Sequence, residues 1–150
     1  QISPRDHLYI SSGISLIFYY YFQSVLGTIG FLLGGVLIDL DHLVEFYKFS
    51  EKKFSAKNFV EFFDLLYYKK AYVVFHSYEL LMLGLLAGFR LDWPLYSTGL
   101  FIGYSVHLLC DAVYNCIHPL FYFFTFRLIK GFDTRVLYDF DRLKSRQIRR

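Results

Sequence analysis

Apolar residues fall in long runs instead of alternating with polar ones. From Leu8 to Phe22 the chain is apolar and aromatic, Gln23-Ser24 interrupts it, and Val25 to Ile38 resumes it with Gly27, Gly30, Gly34 and Gly35. A third run extends from about Ala71 to Phe89 and a fourth from about Leu95 to Cys116, parted by the polar turn Arg90-Leu-Asp-Trp-Pro94. The first two runs sit at the short end of the roughly 17 to 25 residues that a membrane-spanning helix needs. The expected fold is therefore all-α: a polytopic membrane protein with four transmembrane helices over about 6–22, 25–40, 71–89 and 95–116. Gly30 and Gly34 form a GxxxG pair that lets a neighbouring helix approach closely. Between the second and third runs, Phe59, Phe62, Phe63 and Leu66 recur at helical spacing, which predicts an interfacial amphipathic helix over about 57–68.

Composition agrees with one greasy domain over 1–150, since 55% hydrophobic and 22% aromatic side chains exceed what an ordinary soluble domain carries. The net charge of +3 is too small to imply nucleic acid, but the basic residues are unevenly placed. Arg5 gives one, residues 48–70 six and the basic C-terminal tail 127–150 eight, leaving only Arg90 on the opposite side. By the positive-inside rule both termini are expected to be cytoplasmic, with the lipid bilayer and other membrane proteins as partners. Cys110 and Cys116 are six apart and point to different helix faces, so no disulfide follows.

The chemistry is concentrated where the second run ends, in Leu37-Ile-Asp39-Leu-Asp41-His42. Polar side chains at the tip of so apolar a run are costly unless paired, hydrated or bound to metal. His7 opens the first run, His76 lies early in the third, and His107 and Asp111 are four apart on one helical face of the fourth. In an up-down arrangement His7, Asp39, Asp41, His42, His76, His107 and Asp111 meet at one level; only His118 stands apart among the histidines. Mixed imidazole and carboxylate donors suit Zn²⁺, Mn²⁺ or Fe²⁺ better than Ca²⁺ or Mg²⁺, and zinc or manganese is the expected ion. On a continuous helix Asp39 and Asp41 diverge by about 200°. Either the helix breaks at Leu40 or one of the two stands behind a ligand histidine and orients it.

These blocks resemble the LexA-regulated, membrane-bound metal-dependent hydrolases of bacterial inner membranes. Asp6-His7-Leu-Tyr-Ile-Ser, Leu37-Ile-Asp39-Leu-Asp41-His42, Phe75-His76-Ser77 and Gly103-Tyr104-Ser-Val-His107-Leu-Leu-Cys-Asp111 match the family's blocks in order and spacing. The resemblance implies a divalent-metal hydrolase with the same seven residues at the metal site. Ile38 stands where the family has proline, and Ala71 where it usually carries a further histidine.

The leading expectation is a hydrolase acting on an ester, a phosphoester or lipid-linked substrate such as a phospholipid, at the cytoplasmic membrane face. Asp41 or Asp111 serves as base or ligand, and Glu79, three after His76, as an auxiliary carboxylate. The alternative is a non-catalytic small subunit of a membrane assembly that retains a structural or vestigial metal site. A transporter would need polar residues continuing to the far side, and apart from the Arg90–Asp92 turn there are none.

Overall fold

The computed structural model describes residues 4–64 and 69–141. Its elements are α1 (Pro4–Phe22), α2 (Val25–Val36), a 3-10 segment (Leu37–Asp41), α3 (His42–Phe49), α4 (Ala56–Asp64), α5 (Tyr78–Leu91), α6 (Leu95–Tyr114), α7 (Phe124–Ile129) and α8 (Thr134–Leu137). The described chain is helical, as an all-α fold requires, with two isolated β-bridges, Lys70 to Asp133 and Ile117 to Tyr138.

The expected membrane-spanning architecture is corrected. Among the described residues no helix is long and apolar enough to cross a membrane. That removes the four spans, and with them the basis for a multi-pass inner-membrane location with both termini cytoplasmic. The physical reason differs between helices. At 1.5 Å per residue the 12-residue α2 and 14-residue α5 are about 18 and 21 Å long, against a hydrocarbon core of about 30 Å. The third run loses its first turns because Ser77 caps α5, its Oγ accepting the Leu80 N–H at 3.3 Å, so Ala71 to His76 lie in a loop. Helices α1 and α6 have the length, but His7, Ser11, Ser12 and Ser15 dilute the first, and Ser97, Ser105, His107 and Asp111 the second. The amphipathic stretch expected over 57–68 is α4 as far as Asp64; residues 65–68, and 142–150 of the basic tail, lie outside the described residues.

The pair α2 and α6 forms the spine. A Cβ added at Gly34 would overlap the Leu100 carbonyl oxygen, and one at Gly103 the Phe31 carbonyl oxygen. The two backbones therefore touch directly, a contact only glycine permits. Ser24 starts α2, its Oγ accepting the Gly27 N–H at 3.0 Å after a tight turn at Gln23. On the other flank α1 returns along α2, with Phe18 against Phe31. A C-terminal layer of α7 and α8 closes over the loop before α5. Its Phe121, Tyr122, Leu137 and Tyr138 join Phe46, Val73 and Leu108 in one buried cluster.

Candidate metal centre

The close α2–α6 contact sets the first ligand. The Gly35 carbonyl accepts from Ser11 Oγ at 3.2 Å and lies 3.0 Å from His107 Nδ1. With Nδ1–H donated there, the free lone pair of His107 is on Nε2. His76 is held in a parallel way. Its Nδ1 lies 3.5 Å from Asp41 Oδ2, and that oxygen also accepts the Phe75 N–H at 2.6 Å and the His76 N–H at 3.4 Å. Both Nε2 atoms consequently point inward, 3.3 Å apart.

Two carboxylates close on that pair. Asp111 Oδ2 is 3.4 Å from His76 Nε2 and 3.5 Å from His107 Nε2, and Asp39 Oδ1 is 3.7 and 3.5 Å from the same nitrogens. The other oxygen of Asp111 is engaged behind the site, by His7 Nε2 at 2.9 Å and Asn115 Nδ2 at 2.8 Å. The His7 ring also stacks on His107 at 3.9 Å between centroids. His42 packs against His76 at 4.8 Å between ring centroids.

The donor geometry fits a metal ion. A tetrahedral ion with ligands at about 2.0–2.1 Å holds its donors roughly 3.4 Å apart. The triangle His76 Nε2, His107 Nε2 and Asp111 Oδ2 has edges of 3.3, 3.4 and 3.5 Å. Two imidazole lone pairs facing each other repel unless a cation or proton lies between them, and Asp39 Oδ2 is buried with no hydrogen-bond partner. Among the described residues three overlapping groups could hold an ion: His76, His107 and Asp111; Asp39, His42 and His76; and His7, Asp39 and His107.

Electrostatics without metal follow the same layout. Burial alone would lower the His76 pKa, but hydrogen bonds to Asp39 and Asp41 and the charge of Asp111 raise it to about 9, so a proton stands in for the ion. Burial lowers His42 to about 4, helped by neighbouring His76, and keeps it neutral. Burial would raise Asp111 and Asp39, yet the adjoining histidines hold both below the ordinary carboxylate range.

The structure thus brings together His7, Asp39, Asp41, His42, His76, His107 and Asp111, with Asp41 behind His76 and His7 behind Asp111. Glu79 is elsewhere engaged. Its carboxylate accepts from the Phe124 N–H, the Thr125 N–H and Oγ1, and Ser77 Oγ, all at 2.8–3.0 Å. It ties the start of α7 to α5, and these bonds outweigh its partial burial and lower its pKa to about 2. The expectation of an auxiliary catalytic carboxylate assumed a helix through both His76 and Glu79, but α5 begins only at Tyr78.

Three positioning residues have no role in the sequence reading, which names only Tyr104 among them, as part of the fourth block. Glu45 is fully buried, its Oε1 accepting the Tyr72 and Val73 N–H groups at 2.6 and 3.0 Å, and its pKa is raised by burial. Its spacing, four after Asp41 on one helical face, is the signal that could have found it. Arg127, also fully buried, donates to the carbonyls of Tyr72, Val73 and His76 at 3.2, 2.7 and 2.9 Å. Tyr104 donates its hydroxyl to the Phe75 and Ser77 carbonyls. Together they hold the loop bearing His76 from three sides. No family model, curated protein or solved structure matches the chain.

Proposed function

We propose that the chain is a metal-dependent hydrolase of esters, phosphoesters foremost, working with a zinc- or manganese-type ion held by His76, His107 and Asp111 beside Asp39. The observation that carries this reading is the triangle of two Nε2 atoms and one carboxylate oxygen with edges of 3.3–3.5 Å, the spacing of donors around a zinc-type ion. When bound, such an ion activates water near neutral pH and polarises an ester oxygen.

The remaining roles belong to side chains. Asp41 and the Gly35 carbonyl lock the two imidazoles by their Nδ1 atoms, so neither ring has to reorient. His7 and Asn115 occupy one oxygen of Asp111 and leave the other facing inward. Asp39 is the most open of the four donors, with 15% of its side chain exposed against 0–6% for the others. Its Oδ2 is buried and without a hydrogen-bond partner, and is the atom that takes the proton of the attacking water. The order of the His and Asp blocks, similar to that of a hydrolase family, supports the same reading.

The test is hydrolysis of nitrophenyl phosphate, bis-nitrophenyl phosphate and nitrophenyl acetate by protein stripped with chelator and reloaded with zinc or manganese. Metal-dependent turnover that His107→Ala abolishes and Asp39→Asn reduces supports the proposal. A stoichiometric ion without turnover on any ester class contradicts it. That outcome would favour a non-catalytic subunit with a structural ion, a reading the near-complete burial of His76 and His107 also suits.

A further inference from the structure

A concavity lies beside chain segments that carry the candidate metal centre. It is an apolar groove of about 400 Å³ lined by residues including Leu33, Leu37, Ile38, Phe75, Leu80 and Tyr104. Three of its residues lie just before a donor in the chain. Ile38 precedes Asp39, Phe75 precedes His76, and Tyr104 is one helical turn before His107. Phe75 also gives its N–H to Asp41, the carboxylate behind His76. The groove therefore lies against the backbone segments that carry Asp39, His76 and His107.

Resting on the hydrolase reading above, we infer that this groove seats the alkyl chain of an amphiphilic ester or phosphoester whose polar head lies at the metal centre. The chemistry of the walls selects the occupant. Aliphatic and aromatic side chains form nearly all of them, and the Tyr104 hydroxyl is turned away onto the Phe75 and Ser77 carbonyls. Among the described residues no charged side chain lines the groove, so a sugar or nucleoside placed there would leave its polar groups unpaired. Size argues in the same direction. A volume of about 400 Å³ falls in the range of small-molecule sites. A helix about 10 Å across fills roughly that much with a single turn, so a second copy of the chain would seat almost none of its surface.

The experiment measures the affinity of ethyl, butyl, hexyl, octyl and decyl phosphonate for the zinc-loaded protein by calorimetry. Each added methylene that enters the groove tightens binding by about twofold to fourfold, the upper figure corresponding to complete burial. Leu33→Trp and Leu80→Trp fill the groove from α2 and from α5, and both flatten the series; Leu33 is 43% exposed, so its enlargement does not strain the core. Repeating the series on chelator-stripped protein separates the two readings. A chain-length increment that persists where zinc fails to bind keeps the groove and removes the metal reading. Bound zinc with an affinity independent of chain length overturns the groove, as does an increment that survives in both tryptophan variants.

Discussion

Gly34→Ala tests how the helix contact builds the site. An added methyl at Gly34 would overlap the Leu100 carbonyl oxygen, and a helix carbonyl has no rotamer through which to withdraw. The two helices must therefore separate by roughly an ångström, and overpacking of this kind costs about 1–3 kcal/mol, here at the upper end because the obstacle is backbone. The movement also draws the Gly35 carbonyl from His107 Nδ1, now at 3.0 Å, a hydrogen bond worth about 1 kcal/mol. The expected loss is about 3–4 kcal/mol, a large part of the 5–15 kcal/mol typical of a domain. Gly13→Ala is the control. Gly13 is helical and exposed, with nothing within 4 Å of an added Cβ, so alanine there stabilises by about 0.5–1 kcal/mol. Urea denaturation followed by circular dichroism in excess chelator measures both. Shifts of the same sign, or a separation under about 1 kcal/mol, would refute the direct backbone contact and its part in setting His107.

Glu79→Ala releases the start of α7 and lowers stability by about 1–2 kcal/mol while zinc affinity stays unchanged; calorimetric melting with a zinc titration reads both. Arg127→Lys keeps the charge but not three carbonyl contacts, so the melting temperature falls and zinc affinity weakens about tenfold, measured by chelator competition. The pH dependence has a definite sign. His76, raised from 6.5 to about 9 in the metal-free protein, adds stability that is fully present below pH 6.5 and is lost as the pH rises through about 9. Zinc needs the unprotonated ring, so its affinity in the same competition assay rises about tenfold per pH unit across that window and then levels off.

The donors were legible in the sequence because His and Asp are conspicuous inside apolar runs, and because four-residue spacing placed His107 and Asp111 on one face. The opposed directions of Asp39 and Asp41 were legible as a choice between a break at Leu40 and one carboxylate standing behind a histidine; the helix changes type at Leu37, three residues before Leu40. The segment from Leu37 to Asp41 leaves the α-helix for a 3-10 turn, and Asp41 stands behind His76 while Asp39 faces the two Nε2 atoms. The membrane architecture failed because run length was taken for helix length. Ser77 starts α5 several residues inside the third run, and the second run changes helix type before it reaches Asp39. The same capping event misplaced Glu79. Arg127 carried no signal, since nothing in an aromatic-rich stretch before a basic tail distinguishes one arginine whose guanidinium turns inward to a loop fifty residues earlier.

The account rests on His76, His107 and Asp111 holding one divalent ion, and X-ray absorption at the zinc edge of protein loaded with one equivalent addresses this most directly. The expected spectrum has a shell of nitrogen and oxygen at about 2.0–2.1 Å with the outer scattering of two imidazoles, lost in His76→Ala and His107→Ala. Zinc without imidazole scattering, or with a sulfur shell near 2.3 Å from Cys110 or Cys116, would contradict it.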